Sequence, residues 1–247
     1  MTVRVKVCGI TSLDDAMLCV DAGADAVGFV TEYPIPVPWN LDREKTKELI
    51  SKLPPFVSTT VVTSGSLSKI LEIAGATTPD AVQLHGEEGL VDIKRTVEEL
   101  ASEGIKVIKA LSIDVDTQRA RFEIRDPVEA AHSLEDSGVH AILLDSRSKS
   151  MPAGTGIALS WKLAREIREQ TSTPVILAGG LNRRNVRDAI RAVRPYAVDV
   201  ITGVEDYPGK KDPDKVRDFI EAAKGRAVRF LESTSDGNQF TSTVSLG

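Results

Sequence analysis

The chain has 247 residues, 41% of them apolar, and a formal net charge of −5. That length holds one large α/β domain or two small ones, each with a buried core, and the acidic balance excludes the basic footprint of a general nucleic-acid binder. Two cysteines are too few for a disulfide framework, the N-terminus lacks a signal-like apolar run, and no apolar stretch nears the roughly 20 residues of a membrane span, so a cytoplasmic protein without membrane contact is expected.

Eight short apolar, β-branched runs follow one another along the chain, at residues 3–7, 26–30, 57–62, 81–84, 107–110, 141–144, 175–178 and 197–201. Each is too short for a core helix and is closed by Gly, Pro, Ser or Asp. Helix-start chemistry recurs between them. Thr11-Ser12 precedes a helical pattern over 13–22, Asp42 one over 43–53, and Ser66 one over 67–74. Asp126-Pro127 opens 128–137 and Asp212-Pro213 opens 214–224, with proline just inside the start. After the sixth run, Gly154-Thr155-Gly156 leads into a helix predicted over 157–170.

Eight strand–helix units in series imply a parallel sheet, because helical crossovers leave no hairpins. At this length closure into a single (β/α)8 TIM barrel is favoured. An open doubly wound sheet that bound a dinucleotide would need a Gly-rich G-x-G-x-x-G turn after its first strand, and Val7-Cys8-Gly9-Ile10-Thr11 is not one. The barrel is predicted to span 1–225. Residues 226–247 form a C-terminal extension read as loosely ordered and given no function.

Barrel chemistry sits at the C-terminal ends of the strands. The first strand exits at Cys8 and the sixth at Asp145, facing each other across the mouth with strands seven and eight between them. Gly179-Gly180 follows strand seven and Thr202-Gly203 follows strand eight, with Gly154 and Gly156 in the neighbouring loop. Such glycines let backbone N–H groups approach an anion, so a phosphate cradle is expected there. His85, at the fourth exit, either bonds substrate or orients loops. Asp199, inside strand eight, is a buried carboxylate that needs partners. Lys210-Lys211 reads as a solvated turn or a phosphate aid, and Lys6 is not read as facing Cys8. The remaining histidines, His132 and His140, read as structural, and the scatter of the three gives no metal-ligand spacing. Neither metal nor organic cofactor is expected.

Taken in order, these motifs resemble the phosphoribosylanthranilate isomerase family: Lys6-Val7-Cys8-Gly9-Ile10-Thr11, Val82-Gln83-Leu84-His85-Gly86, Leu143-Leu144-Asp145 with Gly154-Thr155-Gly156, Leu177-Ala178-Gly179-Gly180-Leu181, and Gly203-Val204-Glu205 with Pro208-Gly209-Lys210-Lys211-Asp212. The resemblance runs from residue 3 to about 224. It implies an Amadori rearrangement in tryptophan biosynthesis, with Cys8 as general base, Asp145 as general acid, and phosphate at the glycine loops. A dry setting beside Leu143 and Leu144 is expected to favour the acid form of Asp145. Gln83, His85, Asp199 and Trp39 are the expected substrate contacts.

Two departures stand out. The family's Ser-Pro-Arg stretch, whose arginine meets the anthranilate carboxylate, reads Val37-Pro38-Trp39-Asn40 here, so Trp39 is placed to stack on the ring and the carboxylate lacks a named partner. The usual serine of the strand-eight loop is Thr202, which keeps a hydroxyl. The partner implied is a small phosphorylated substrate, and the chain a monomer or homodimer. The rival readings are a histidine-pathway aminoaldose isomerase, where a carboxylate would stand in place of Cys8, and a non-catalytic phosphosugar-binding barrel, which would need neither Cys8 nor Asp145.

Overall fold

The computed structural model describes residues 3–147 and 160–225. Eight strands, β1 (Arg4–Val7), β2 (Ala26–Thr31), β3 (Ser58–Thr63), β4 (Ala81–Leu84), β5 (Lys106–Asp114), β6 (Ala141–Arg147), β7 (Val175–Leu177) and β8 (Ala197–Val200), pair in parallel with their neighbours. β1 bonds to both β2 and β8, which closes the sheet into a barrel. The helices that follow the strands are α1 (Leu13–Asp21), α2 (Arg43–Ser51), α3 (Leu67–Thr77), α4 (Leu90–Ala101), α5 (Pro127–Asp136), α6 (Trp161–Gln170), α7 (Val186–Val193) and α8 (Pro213–Lys224). The fold is the (β/α)8 barrel that the alternating pattern implied. No helix among the described residues is long and apolar enough to cross a membrane.

Helix starts follow side-chain chemistry closely. Ser12, Asp42, Ser66, Asp126 and Asp212 each accept a hydrogen bond from a first-turn backbone N–H, a contact worth roughly 1 kcal/mol per helix. The helix expected over 157–170 begins at Trp161, capped by Ser160. Residues 157–159 lie outside the described residues, as do Gly154, Gly156 and the extension 226–247.

β5 and β6 run further than their apolar cores suggested, staying paired from Ile108 and Ala141 up to Asp114 and Arg147. Asp145 therefore belongs to β6 itself, opposite Ser112, and not to the loop beyond it. The ladder needs only backbone groups, so polar residues continue it where an apolar run ends.

Strand alternation sorts side chains to two sides. One set, including Ala81, Ala110, Leu143, Ile176 and Ala197, fills the barrel interior. The other, including Val7, Phe29, Leu84, Leu144 and Val198, packs against the helices in the larger core. Fully burying each large member stabilises the fold by about 1.5–3 kcal/mol. Above the interior cluster, at the strand C-termini, Cys8, Val30, Trp39 and Val62 form a third group.

Candidate active site

That third group is one wall of a cavity of about 210 Å³ at the barrel mouth. Of the residues expected at the site, Cys8, Trp39, Gln83, His85, Asp145, Gly179, Gly180, Asp199 and Thr202 all line it. Gly203 lies behind the lining, packed against the Leu181 carbonyl.

Cys8 extends the β1 ladder by one residue, its N–H bonded to the Val200 carbonyl, so Lys6 and Cys8, two apart, face the same side, and the expectation that Lys6 points elsewhere is corrected by strand parity. Space for both comes from Gly28 on β2, where a Cβ would stand 2.6 Å from Cys8 Sγ and 3.1 Å from Lys6 Nζ. The Lys6 ammonium donates to Asp199 Oδ1 at 3.0 Å, and both residues are buried. Burial opposes the Lys6 charge, but Asp199 and then Cys8 hold its pKa above the ordinary lysine value. For Cys8 burial dominates and pushes the thiol up, while the nearby Lys6 charge pulls it back. Cys19, inside α1, is pushed up to about 12 by burial.

Asp145 faces His85, with Oδ2 3.4 Å from the imidazole Nε2. The other ring nitrogen, Nδ1, is hydrogen-bonded to Gln83 Nε2 at 3.2 Å, so the imidazole bridges Gln83 and Asp145. The dry setting expected for Asp145 is not found: its side chain is 23% exposed and its neighbour is a polar ring. The His85 loop is tied down from two sides. Tyr33 Oη donates to the His85 carbonyl at 2.8 Å, and the buried Lys109 bonds the Gly86 carbonyl at 2.8 Å and Glu88 at 2.6 Å. Gln83 Oε1 is buried without a hydrogen-bond partner among the described residues.

The glycine rim follows β7 and β8. Gly179 and Gly180 take φ of +79° and +67°, a left-handed conformation that favours glycine. The Gly180 carbonyl accepts from Asn185 Nδ2 at 3.0 Å and Asn182 Nδ2 at 3.4 Å, fixing the turn. A Cβ on Gly179 would stand 2.7 Å from the Ser146 backbone N, so β6 and the β7 loop touch backbone to backbone. Thr202 opens a single 3-10 turn, Thr202–Val204.

Trp39 is brought back to the mouth by a short strand, Asn40–Leu41, which pairs with Val30 and Thr31 of β2. Its indole N–H donates to Glu205 Oε1 at 2.7 Å. The same oxygen accepts from Gly209 N at 3.2 Å and Lys211 Nζ at 2.9 Å. Lys211 is thus a fully buried ion-pair partner, not a solvated turn residue or a phosphate aid, whereas the Lys210 side chain stays 43% exposed and pairs with Asp15. The available signal was Pro208-Gly209, the turn that folds Lys211 back onto Glu205 in an antiparallel hairpin.

The other two histidines lie elsewhere. His132 bonds the Gln170 carbonyl, and His140 accepts the Val107 N–H at the opposite end of the barrel. Among the described residues no group of three or more His, Cys, Asp or Glu side chains is placed to hold a metal ion.

Comparison with known proteins agrees with this geometry. The sequence model for N-(5'phosphoribosyl)anthranilate (PRA) isomerase matches residues 5–222. N-(5'-phosphoribosyl)anthranilate isomerase 1 of Methanosarcina mazei is 41% identical over 225 residues, covering 90% of this chain and 94% of its own length. The crystal structure of phosphoribosyl anthranilate isomerase from Thermotoga maritima aligns with a TM-score of 0.75 at 41% identity, over 90% of this chain and 99% of that one. Another crystal structure, of the enzyme in complex with reduced 1-(o-carboxyphenylamino)-1-deoxyribulose 5-phosphate, gives a TM-score of 0.72 at 39% identity, with the same coverage. Matched over nearly the whole barrel by family, relatives and fold, the chain belongs to the N-(5'-phosphoribosyl)anthranilate isomerase family.

Proposed function

We propose that the chain converts N-(5-phosphoribosyl)anthranilate to 1-(2-carboxyphenylamino)-1-deoxyribulose 5-phosphate, an Amadori rearrangement of tryptophan biosynthesis. The observation that carries this reading is one cavity lined by a thiol at the end of β1, a carboxylate on β6 and paired left-handed glycines after β7.

Asp145, as the general acid, protonates the furanose ring oxygen as the bond from that oxygen to C1′ breaks, leaving an iminium. The Cys8 thiolate then takes the C2′ proton, the electron pair neutralises the iminium, and the enolamine tautomerises to the ketose. Lys6 stands beside the sulfur and favours the thiolate. Asp199, held by Lys6, and Gln83 Oε1, without a partner among the described residues, accept hydrogen bonds from sugar hydroxyls. His85 orients Asp145, and Trp39 contacts the ring. Backbone amides at Gly179, Gly180, Thr202 and Gly203, with Gly154 and Gly156, take the phosphate. We place the enzyme in the cytoplasm as a monomer or homodimer acting on a small phosphorylated substrate.

The test mixes purified protein with freshly made N-(5-phosphoribosyl)anthranilate and follows anthranilate fluorescence, with Cys8→Ala and Asp145→Asn alongside. Conversion by the wild type that both variants lose supports the reading. No conversion, with tight phosphosugar binding, sinks it.

A further inference from the structure

The cavity has two chemically different ends. Toward β7 and β8 lies the glycine rim, and on the other side of Cys8 lies a wall of Val30, Tyr33, Ile35, Val37, Trp39 and Val62. A phosphosugar with its phosphate at the rim and C2′ beside Cys8 directs its amine substituent at that wall. No lysine or arginine is among the described residues that line the cavity, whereas Asp145 and Asp199 are. Among the described residues, two cations behind the lining are engaged, Lys6 by Asp199 and Lys211 by Glu205. The one polar hydrogen of Trp39 already goes to Glu205, which sets a carboxylate directly behind the indole.

We infer that the amine-substituent end of this site recognises an uncharged aromatic ring, so that N-(5-phosphoribosyl) arylamines without a ring carboxylate bind at least as well as the anthranilate compound. The inference rests on the isomerase reading for the orientation of the sugar. An apolar wall gains by covering a neutral ring, and an indole face stacks on one. A carboxylate there gives up water and meets no free cation among the described residues, so none of them offsets its desolvation.

The experiment measures calorimetric affinities of the full-length chain for two reduced product analogues, one with a phenylamino and one with an o-carboxyphenylamino group. The phenyl compound is expected to bind equally well or better, by up to about tenfold. Tighter binding of the carboxyphenyl compound overturns the inference. In Trp39→Arg the preference should move toward the carboxyphenyl compound by about tenfold, while Trp39→Phe, which keeps an aromatic face, retains the wild-type order. An unchanged ratio in Trp39→Arg overturns the role given to this residue. Turnover of the two corresponding substrates is followed separately. Conversion of neither defeats the isomerase reading, and the order of the two affinities still decides this one.

Discussion

Lys6 and Asp199 stand opposite each other in the β1–β8 register, and their charged ends meet at 3.0 Å inside the barrel, two residues below Cys8. Lys6→Met would leave the Asp199 carboxylate buried and uncompensated, at a cost of roughly 3–5 kcal/mol. Adding Asp199→Asn should restore much of that stability in urea unfolding. The catalytic effect has its own sign. A thiolate base makes kcat/KM rise with pH as the thiol ionises, and burial already places that rise above the ordinary thiol value. Without the Lys6 charge the rise moves to still higher pH, and each unit lowers the rate at pH 8 by about tenfold. A pH profile of the single Lys6→Met variant identical to wild type, measured where it remains folded, would refute the pairing of Lys6 with the base.

The two cysteines should behave oppositely. Cys8→Ala is expected to reduce kcat by about 10²–10⁴-fold, the range of a positioned base, and Asp145→Asn by a similar factor. Cys19→Ala should leave kcat unchanged, because that thiol packs inside α1.

Cys19 instead bears on stability at alkaline pH. Its folded pKa of about 12 lies above the ordinary 9.0. Above pH 9 the unfolded chain gives up this proton while the native state keeps it, so stability falls as pH rises toward 12. Between pH 8 and 10.5 the loss amounts to roughly 2 kcal/mol. Urea unfolding at those two pH values should show a steeper decline for wild type than for Cys19→Ala. Equal slopes would count against the buried thiol as its source.

Much of this was legible in the sequence, for identifiable reasons. Strand runs and capping residues report local backbone preferences, so the barrel and its helix starts follow from neighbours in the chain. Cys8, Asp145 and the glycines were readable because strand ends in a closed parallel barrel share one face. Lys6 was equally readable, since residues two apart on a strand point the same way. The Trp39–Glu205–Lys211 contact was not, because it joins residues 166 apart through a returning strand and a hairpin, and neither has an apolar signature. The exposure of Asp145 was misread because its sequence neighbours Leu143 and Leu144 say nothing of the polar His85 that faces it from β4.

The glycine rim makes a binding prediction. Gly179→Ala would force a Cβ to 2.7 Å from the Ser146 backbone N at a left-handed φ, so the β7 loop must shift. If that loop holds phosphate, KM should rise about tenfold or more with a smaller change in kcat, since the lost contact is made in ground and transition states alike. Inorganic phosphate should weaken as a competitive inhibitor in parallel. A variant with unchanged KM and phosphate inhibition would place the phosphate elsewhere.

Glu205 Oε1 takes three donors, from Trp39, Gly209 and Lys211, and its side chain is only 4% exposed. Lys211→Met removes the one charged donor and leaves a buried carboxylate with two neutral ones, which should destabilise the fold by roughly 3–5 kcal/mol. Glu205→Gln in that background removes the orphaned charge while keeping an oxygen for the indole, so urea stability should recover by more than half. The same series reads out the site. With the Glu205 charge left unpaired beside the Trp39 indole N–H in Lys211→Met, the field on the indole changes and its emission should shift, and the shift should reverse in the double variant. Stability lost without any rescue by Glu205→Gln would mean that Lys211 matters through the packing of its long side chain, and not through the charge it places on Glu205.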